Sequence, residues 1–184
     1  MLAQIAVFLI QTAAGLVVFC LLARFHFQWL RVPFQNPAGQ FVLAMTSWLV
    51  MPVRRVIKGL RCWDVPTLLL AWLVQALSLA AQVAVMGGEP RVAPIAAVAA
   101  VDLVRYSVYL LMFAVLLLAV MSWFQSYSPF TPALDAFTRP FLRPFRRFIP
   151  PVGGFDLTPL ALLVVLQILL IVLEYGRPLA ARVG

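Results

Sequence analysis

Asp102 and Arg105 are ionisable residues set inside an apolar run, three positions apart. On a helix that spacing lets a carboxylate and a guanidinium pair, and an ionisable group within a membrane span is a functional hypothesis by default. The competing reading is that the span begins near Leu103. Residues 92–102 then form an interfacial helix and Asp102 lies at the headgroups. That reading is favoured, because residues 103–121 still come close to the roughly 20 apolar residues a span needs. Gln75 and Gln167 are a second intramembrane polar pair. Amides inside spans hydrogen-bond across helices, for about 1 kcal/mol or less each. A pseudo-symmetric bundle could bring the two together, as structural glue or as the lining of a polar path. The third group is basic: Arg54, Arg55 and Lys58, then Arg139, Arg143, Arg146 and Arg147. These residues either bind anionic headgroups or an acidic partner, or only fix topology and anchor the interface. Each near-surface basic residue contributes about 1 kcal/mol on an anionic leaflet.

Motifs for chemistry are lacking. There is no Gly-x-Gly-x-x-Gly, phosphate loop, His-Glu-x-x-His or paired in-membrane carboxylates. His26 is the one histidine, and Cys20 and Cys62 are far apart with no Cys-x-x-Cys, so neither a protein metal site nor a haem attachment is written here. The expectation is a protein that is not an enzyme and has no cofactor. Trp29, Trp48, Trp63 and Trp123 read as an ordinary interfacial aromatic belt.

The elements that position these residues follow from composition. The chain is 64% hydrophobic and 11% charged, against about 25% charged residues in an ordinary soluble domain. A soluble surface needs charge, so the bilayer is the expected solvent. The net charge of +8 then points to anionic lipid rather than nucleic acid. Apolar stretches at 2–23, 65–86, 92–120 and 157–173 are long enough, or nearly so, to span. The first has no basic leader and no clear cleavage site, and its counterpart recurs later, so it reads as a permanent span.

Displacing the sequence by half its 184 residues aligns the halves without a gap. Asn36-Pro37 falls on Ser128-Pro129, Thr46 on Thr138, and Gln75 on Gln167. Pro52-Val53-Arg54-Arg55-Val56-Ile57 falls on Pro144-Phe145-Arg146-Arg147-Phe148-Ile149, and Asp64 on Asp156. Residues 1–92 and 93–184 therefore read as two copies of one unit. In the first copy the span at 2–23 leads to a connector at 36–60 and a span at 65–86. In the second the span lies at about 103–121, the connector at 130–150 and the last span at 157–173.

In the first connector Phe41, Met45, Trp48, Leu49, Val53 and Val56 share one helical face. In the second, Leu134, Phe137, Phe141, Phe145 and Phe148 oppose Arg139, Arg143, Arg146 and Arg147. Such segments suit the membrane interface. Pro52, Pro140 and Pro144 should break them into short pieces or a re-entrant hairpin. Asp64 and Asp156, with Pro66 and Pro159 close behind, read as helix starts. The expected fold is an all-α membrane protein: four transmembrane helices as two tandem parallel repeats, each helix, amphipathic interfacial segment, helix. Basic residues crowd the connectors, whereas only Arg91, Arg177 and Arg182 lie on the other side. The connectors should face the cytoplasm and both termini the far side.

Arg31-Val32-Pro33-Phe34-Gln35-Asn36-Pro37, the run to Pro52-Val53-Arg54-Arg55-Val56-Ile57, and its second-half match from Ser128-Pro129 through Thr138 to Pro150-Pro151 and Phe155-Asp156 resemble the YggT family of small bacterial membrane proteins, which has chloroplast relatives. The resemblance covers both halves and implies an integral protein of the bacterial inner membrane. Relatives have been linked to division, nucleoid distribution, haem-protein maturation and osmotic tolerance, with no catalytic residues to carry over. The leading expectation is a non-enzymatic organising or assembly factor that engages anionic membrane lipids or a membrane-protein partner through the paired connectors, and that can self-associate into a homo-oligomer. The alternative is a small transporter or channel component, with its path near Gln75, Gln167 and Asp102.

Overall fold

The structure is a computed structural model that describes residues 1–56, 64–123, 128–149 and 156–182. Every regular element among them is helical: α1 (Leu2–Trp29), α2 (Pro37–Val56), α3 (Val65–Val85), α4 (Val92–Trp123), α5 (Thr131–Phe148) and α6 (Thr158–Ala180). Four of them, α1, α3, α4 and α6, are long and apolar enough to cross a bilayer. They are apolar nearly all round, and Phe8, Leu77, Phe113 and Val172 on their outer faces are exposed. An outward surface of this kind fits hydrocarbon and not water, and marks a multi-pass membrane protein.

Local signals set the helix starts. Asn36 Oδ1 accepts the Gly39 N–H at 2.9 Å, with Pro37 as the first residue of α2, an arrangement that satisfies a free N–H and presets the helical φ. A Cβ on Gly39 would lie 2.7 Å from the Phe34 Cα, so the entry to α2 requires glycine there. Prolines also open α3 and α6.

Helix α1 packs along α3 and carries α2; α4 packs along α6 and carries α5. Contacts of α4 with α1 and α3 join the halves. One core cluster runs across both, from Ala23, Val32 and Val42 through Leu111 to Phe137, Leu142 and Leu166. Phe137 of α5 reaches α1, with ring centroids 5.8 Å from Phe27 and 6.2 Å from His26.

Two expectations change. Helices α2 and α5 each run unbroken through their prolines. Pro52, Pro140 and Pro144 all lie on exposed faces, where the carbonyl that loses its N–H partner can turn to solvent or headgroups. In α2 the apolar face read from the sequence is turned away from the bundle. Its buried stripe is Val42, Thr46 and Val50, while Phe41, Met45 and Trp48 are exposed. Finally, α4 continues through Asp102 without a break.

Candidate functional site

Asp102 is only 3% exposed, packed inside the protein. Its carboxylate is the hub of a cluster drawn from three helices. Oδ1 accepts from Arg105 Nη1 at 3.3 Å and from Arg177 Nε at 2.9 Å. Oδ2 accepts from Gln75 Nε2 at 2.9 Å and from Arg177 Nη2 at 3.2 Å. Arg105 Nη2 also donates to Glu174 Oε1 at 3.2 Å. The helical spacing of Asp102 and Arg105 does produce the pair, and α6 adds a second guanidinium. A buried carboxylate needs such partners, because desolvation otherwise outweighs its attraction to any one cation. Beside the cluster lies a cavity of about 270 Å³ that also reaches Gln11, Ser78, Gln82, Tyr106 and Tyr109. Gly15 of α1 leaves room for the Tyr106 hydroxyl, 3.9 Å from where its Cβ would stand.

The two glutamines do not converge. Gln75 is buried on Asp102, whereas Gln167 is exposed and lines an outer apolar groove with Met112, Phe113 and Leu163. The inward stripe of α6 is Leu162, Leu166 and Leu170, and Gln167 falls beside it. The path proposed through both amides is therefore not assembled within one chain.

The short helices place the arginines in two roles. Arg54 Nη2 donates to Asp64 Oδ2 at 2.5 Å and to Gln28 Oε1 at 2.9 Å, and Asp64 also accepts from Thr67 Oγ1. Asp64 holds the N-cap position of α3 without a side-chain bond to a backbone N–H, and its Oδ2 takes Arg54 and Thr67 instead. In the second half Arg146 Nε lies 3.3 Å from Asp156 Oδ2, and Asp156 Oδ1 accepts from Thr158 N and Oγ1. Partial burial acts to raise the Asp156 pKa, but the two Thr158 hydrogen bonds and the Arg146 guanidinium outweigh it and hold the carboxyl below its usual value. Each short helix is thus tied by an arginine to the aspartate that precedes the next long helix. Arg139 pairs with Asp135 one turn away. Arg55, Arg143 and Arg147 are exposed and make no ion pair among the described residues. Lys58 lies outside the described residues.

Sequence reasoning missed Arg177 and Glu174 as cluster members, having counted Arg177 only as a charge of the far side. The signal was the helical register of α6, which continues past Leu173 to Ala180. It also missed Arg24, 5% exposed in α1, which donates to Thr46 Oγ1 at 2.9 Å and Ser47 Oγ at 3.3 Å. Thr46 and Thr138 are both buried and both donate to the carbonyl four residues back. Among the described residues no group of three His, Cys, Asp or Glu is placed to hold a metal ion.

The family model described as CCB3/YggT matches residues 3–85 and 97–176. The chain is 34% identical over 164 residues to "Uncharacterized protein YggT" of Escherichia coli (strain K12), covering 88% of this chain and 85% of that protein. It is 31% identical over 170 residues to an uncharacterized protein of Pseudomonas aeruginosa, covering 89% of this chain and 85% of that one. A Vibrio alginolyticus protein encoded in the proC 3' region is 31% identical over 163 residues, covering 87% and 88%. No solved structure matches the chain.

Proposed function

Since the chain belongs to the CCB3/YggT family over both of its halves, we propose that it is a non-enzymatic protein of the bacterial inner membrane that organises or assembles other membrane components through its two short helices. The observation that carries this reading is the division of α5. Its face of Ala133, Phe137 and Leu142 is buried in the bundle, while Arg139, Arg143, Arg146 and Arg147 are exposed. With the apolar side already occupied, the basic side is the one available to a partner. Arg54 and Arg146 hold the short helices to Asp64 and Asp156. Arg55, Arg143 and Arg147 are left for anionic headgroups or an acidic protein, at about 1 kcal/mol each on an anionic leaflet. In this reading the two halves are tandem copies set in the same orientation, with amphipathic short helices in the cytoplasmic interface and both termini on the opposite side. The matching ion pairs Arg54–Asp64 and Arg146–Asp156 and the basic-residue bias support that arrangement. A homo-oligomer would use the exposed apolar faces of the long helices.

The test is gentle detergent extraction of the full chain, followed by mass spectrometry of co-purifying proteins and lipids. Wild type is compared with the Arg55→Glu, Arg143→Glu, Arg147→Glu triple variant. The expected result is a specific partner or anionic lipid lost in the variant. Identical recovery from a correctly inserted variant would remove this reading. A transport role keeps one supporting observation, the polar cavity beside Gln75 and Asp102. It is tested by flux into liposomes, expected to fall on Gln75→Leu and to be indifferent to Gln167→Leu.

A further inference from the structure

The cavity beside Asp102 has the chemistry of a ligand site that neither short helix explains. Its lining carries Asp102, Arg105 and Arg177, two guanidiniums to one carboxylate, with Glu174 paired to Arg105 from outside the lining. The carboxylate is used up: each oxygen already accepts two N–H donors, which matches its capacity. A cation entering here would meet a saturated carboxylate and two guanidiniums. Donors, by contrast, are in surplus. A guanidinium carries five N–H groups, and Arg177 directs only Nε and one Nη2 N–H at Asp102. Arg105 Nε has no acceptor among the described residues but is buried away from the cavity, so the N–H groups open to a ligand are chiefly those of Arg177. The remaining polar lining adds only neutral amides and hydroxyls, from Gln11, Ser78, Gln82, Tyr106 and Tyr109. Glu174 does not line the cavity; its side chain is 71% exposed and that of Arg177 43%, so solvent screens both charges in part.

We propose that this cavity is a binding site for a small monovalent anion, a halide or a short carboxylate, held between Arg105 and Arg177 with hydroxyl donors from Tyr106, Tyr109 and Ser78. A cavity of about 270 Å³ has room for such an anion together with a few waters, each of which takes about 30 Å³ of liquid. The site goes beyond the organising role and does not depend on it, since binding requires neither a partner nor flux.

The experiment uses the full chain purified in mild detergent with gluconate as the only anion. Chloride, bromide or acetate replaces gluconate at constant ionic strength while thermal unfolding is followed. A ligand that binds the folded state raises the midpoint by mass action, so a saturable rise shared by the small anions is expected. Arg177→Gln removes a charged donor and should weaken the apparent affinity roughly tenfold. Ser78→Ala with Tyr109→Phe removes two hydroxyls and no charge of the Asp102 ion pairs and should weaken it by a smaller factor, which keeps the test alive if Arg177→Gln unfolds. Overturning results are no saturable anion dependence in the wild type, an unchanged affinity in both variants, or a response that follows the cation instead. The last arm repeats the titration in nanodiscs of phosphatidylcholine alone and with phosphatidylglycerol. Unaltered chloride affinity supports a soluble anion. Loss of the chloride response with phosphatidylglycerol would give the site to a lipid headgroup and overturn the assignment.

Discussion

A carboxylate that accepts four hydrogen bonds from three residues makes the interior sensitive to single substitutions. Asp102→Ala leaves Gln75 and Arg177 without their acceptor and half-buried Arg105 with Glu174 as its carboxylate. Breaking a buried pair from one side costs on the order of 3 kcal/mol, measurable as a lower midpoint in detergent unfolding. Gln75→Leu should cost about 1 kcal/mol, and Gln167→Leu close to nothing, because Gln167 faces outward. Equal effects of the two would contradict the placement of Gln75. The repeat in the sequence made these glutamines look equivalent. Equivalence of position does not carry equivalence of neighbours, and the residues that set them apart, Asp102 and Arg177, come from helices α4 and α6. Asp156 gives a pH effect of definite sign. Its folded pKa is lowered from 3.8, so its contribution to stability is present above that value and is lost as pH falls through the lower folded one. The unfolding midpoint should therefore drop on acidification below about pH 4, and Asp156→Asn should remove that part of the drop.

At the scale of elements, the apolar run lengths made the four long helices readable, while the short helices were read less well. Proline was taken as a break, yet α2 and α5 carry theirs on exposed faces, where a lost backbone bond costs less than in a buried turn. The apolar face of α2 was read from hydrophobicity as suited to the membrane interface, without saying which face meets the bundle. Lipid accepts Phe41, Met45 and Trp48 on the outside, and the inside holds Thr46, which receives a hydrogen bond from buried Arg24. Sequence alone does not say which of two apolar faces meets lipid. The entry to α2 offers a clean check. Gly39→Ala would press a Cβ to 2.7 Å from the Phe34 backbone, and overpacking of that kind costs about 1–3 kcal/mol. A lower unfolding midpoint is expected, with the helical content of the rest retained in circular dichroism.

For the whole molecule, a deficit of charge, two matching halves and a pair of arginine-bearing short helices made the class and the family legible. The in-span cluster was only half legible: Asp102, Arg105 and Gln75 stood out as polar residues in apolar runs, whereas Arg177 passed for a terminal charge. Two features of the bundle bear on the proposed roles. The exposed arginines of α2 and α5 face outward, and the Asp102 cluster with its cavity lies inside the packed long helices. The organising role requires that Arg55, Arg143 and Arg147 act on something outside the chain. Native mass spectrometry of the protein released from mixed phosphatidylglycerol and phosphatidylcholine nanodiscs tests this most directly. The account expects wild type to retain phosphatidylglycerol in preference to phosphatidylcholine, and the Arg55→Glu, Arg143→Glu, Arg147→Glu variant to lose that preference while remaining folded. Equal retention of both lipids by the wild type, or an unchanged preference in the folded variant, would contradict it.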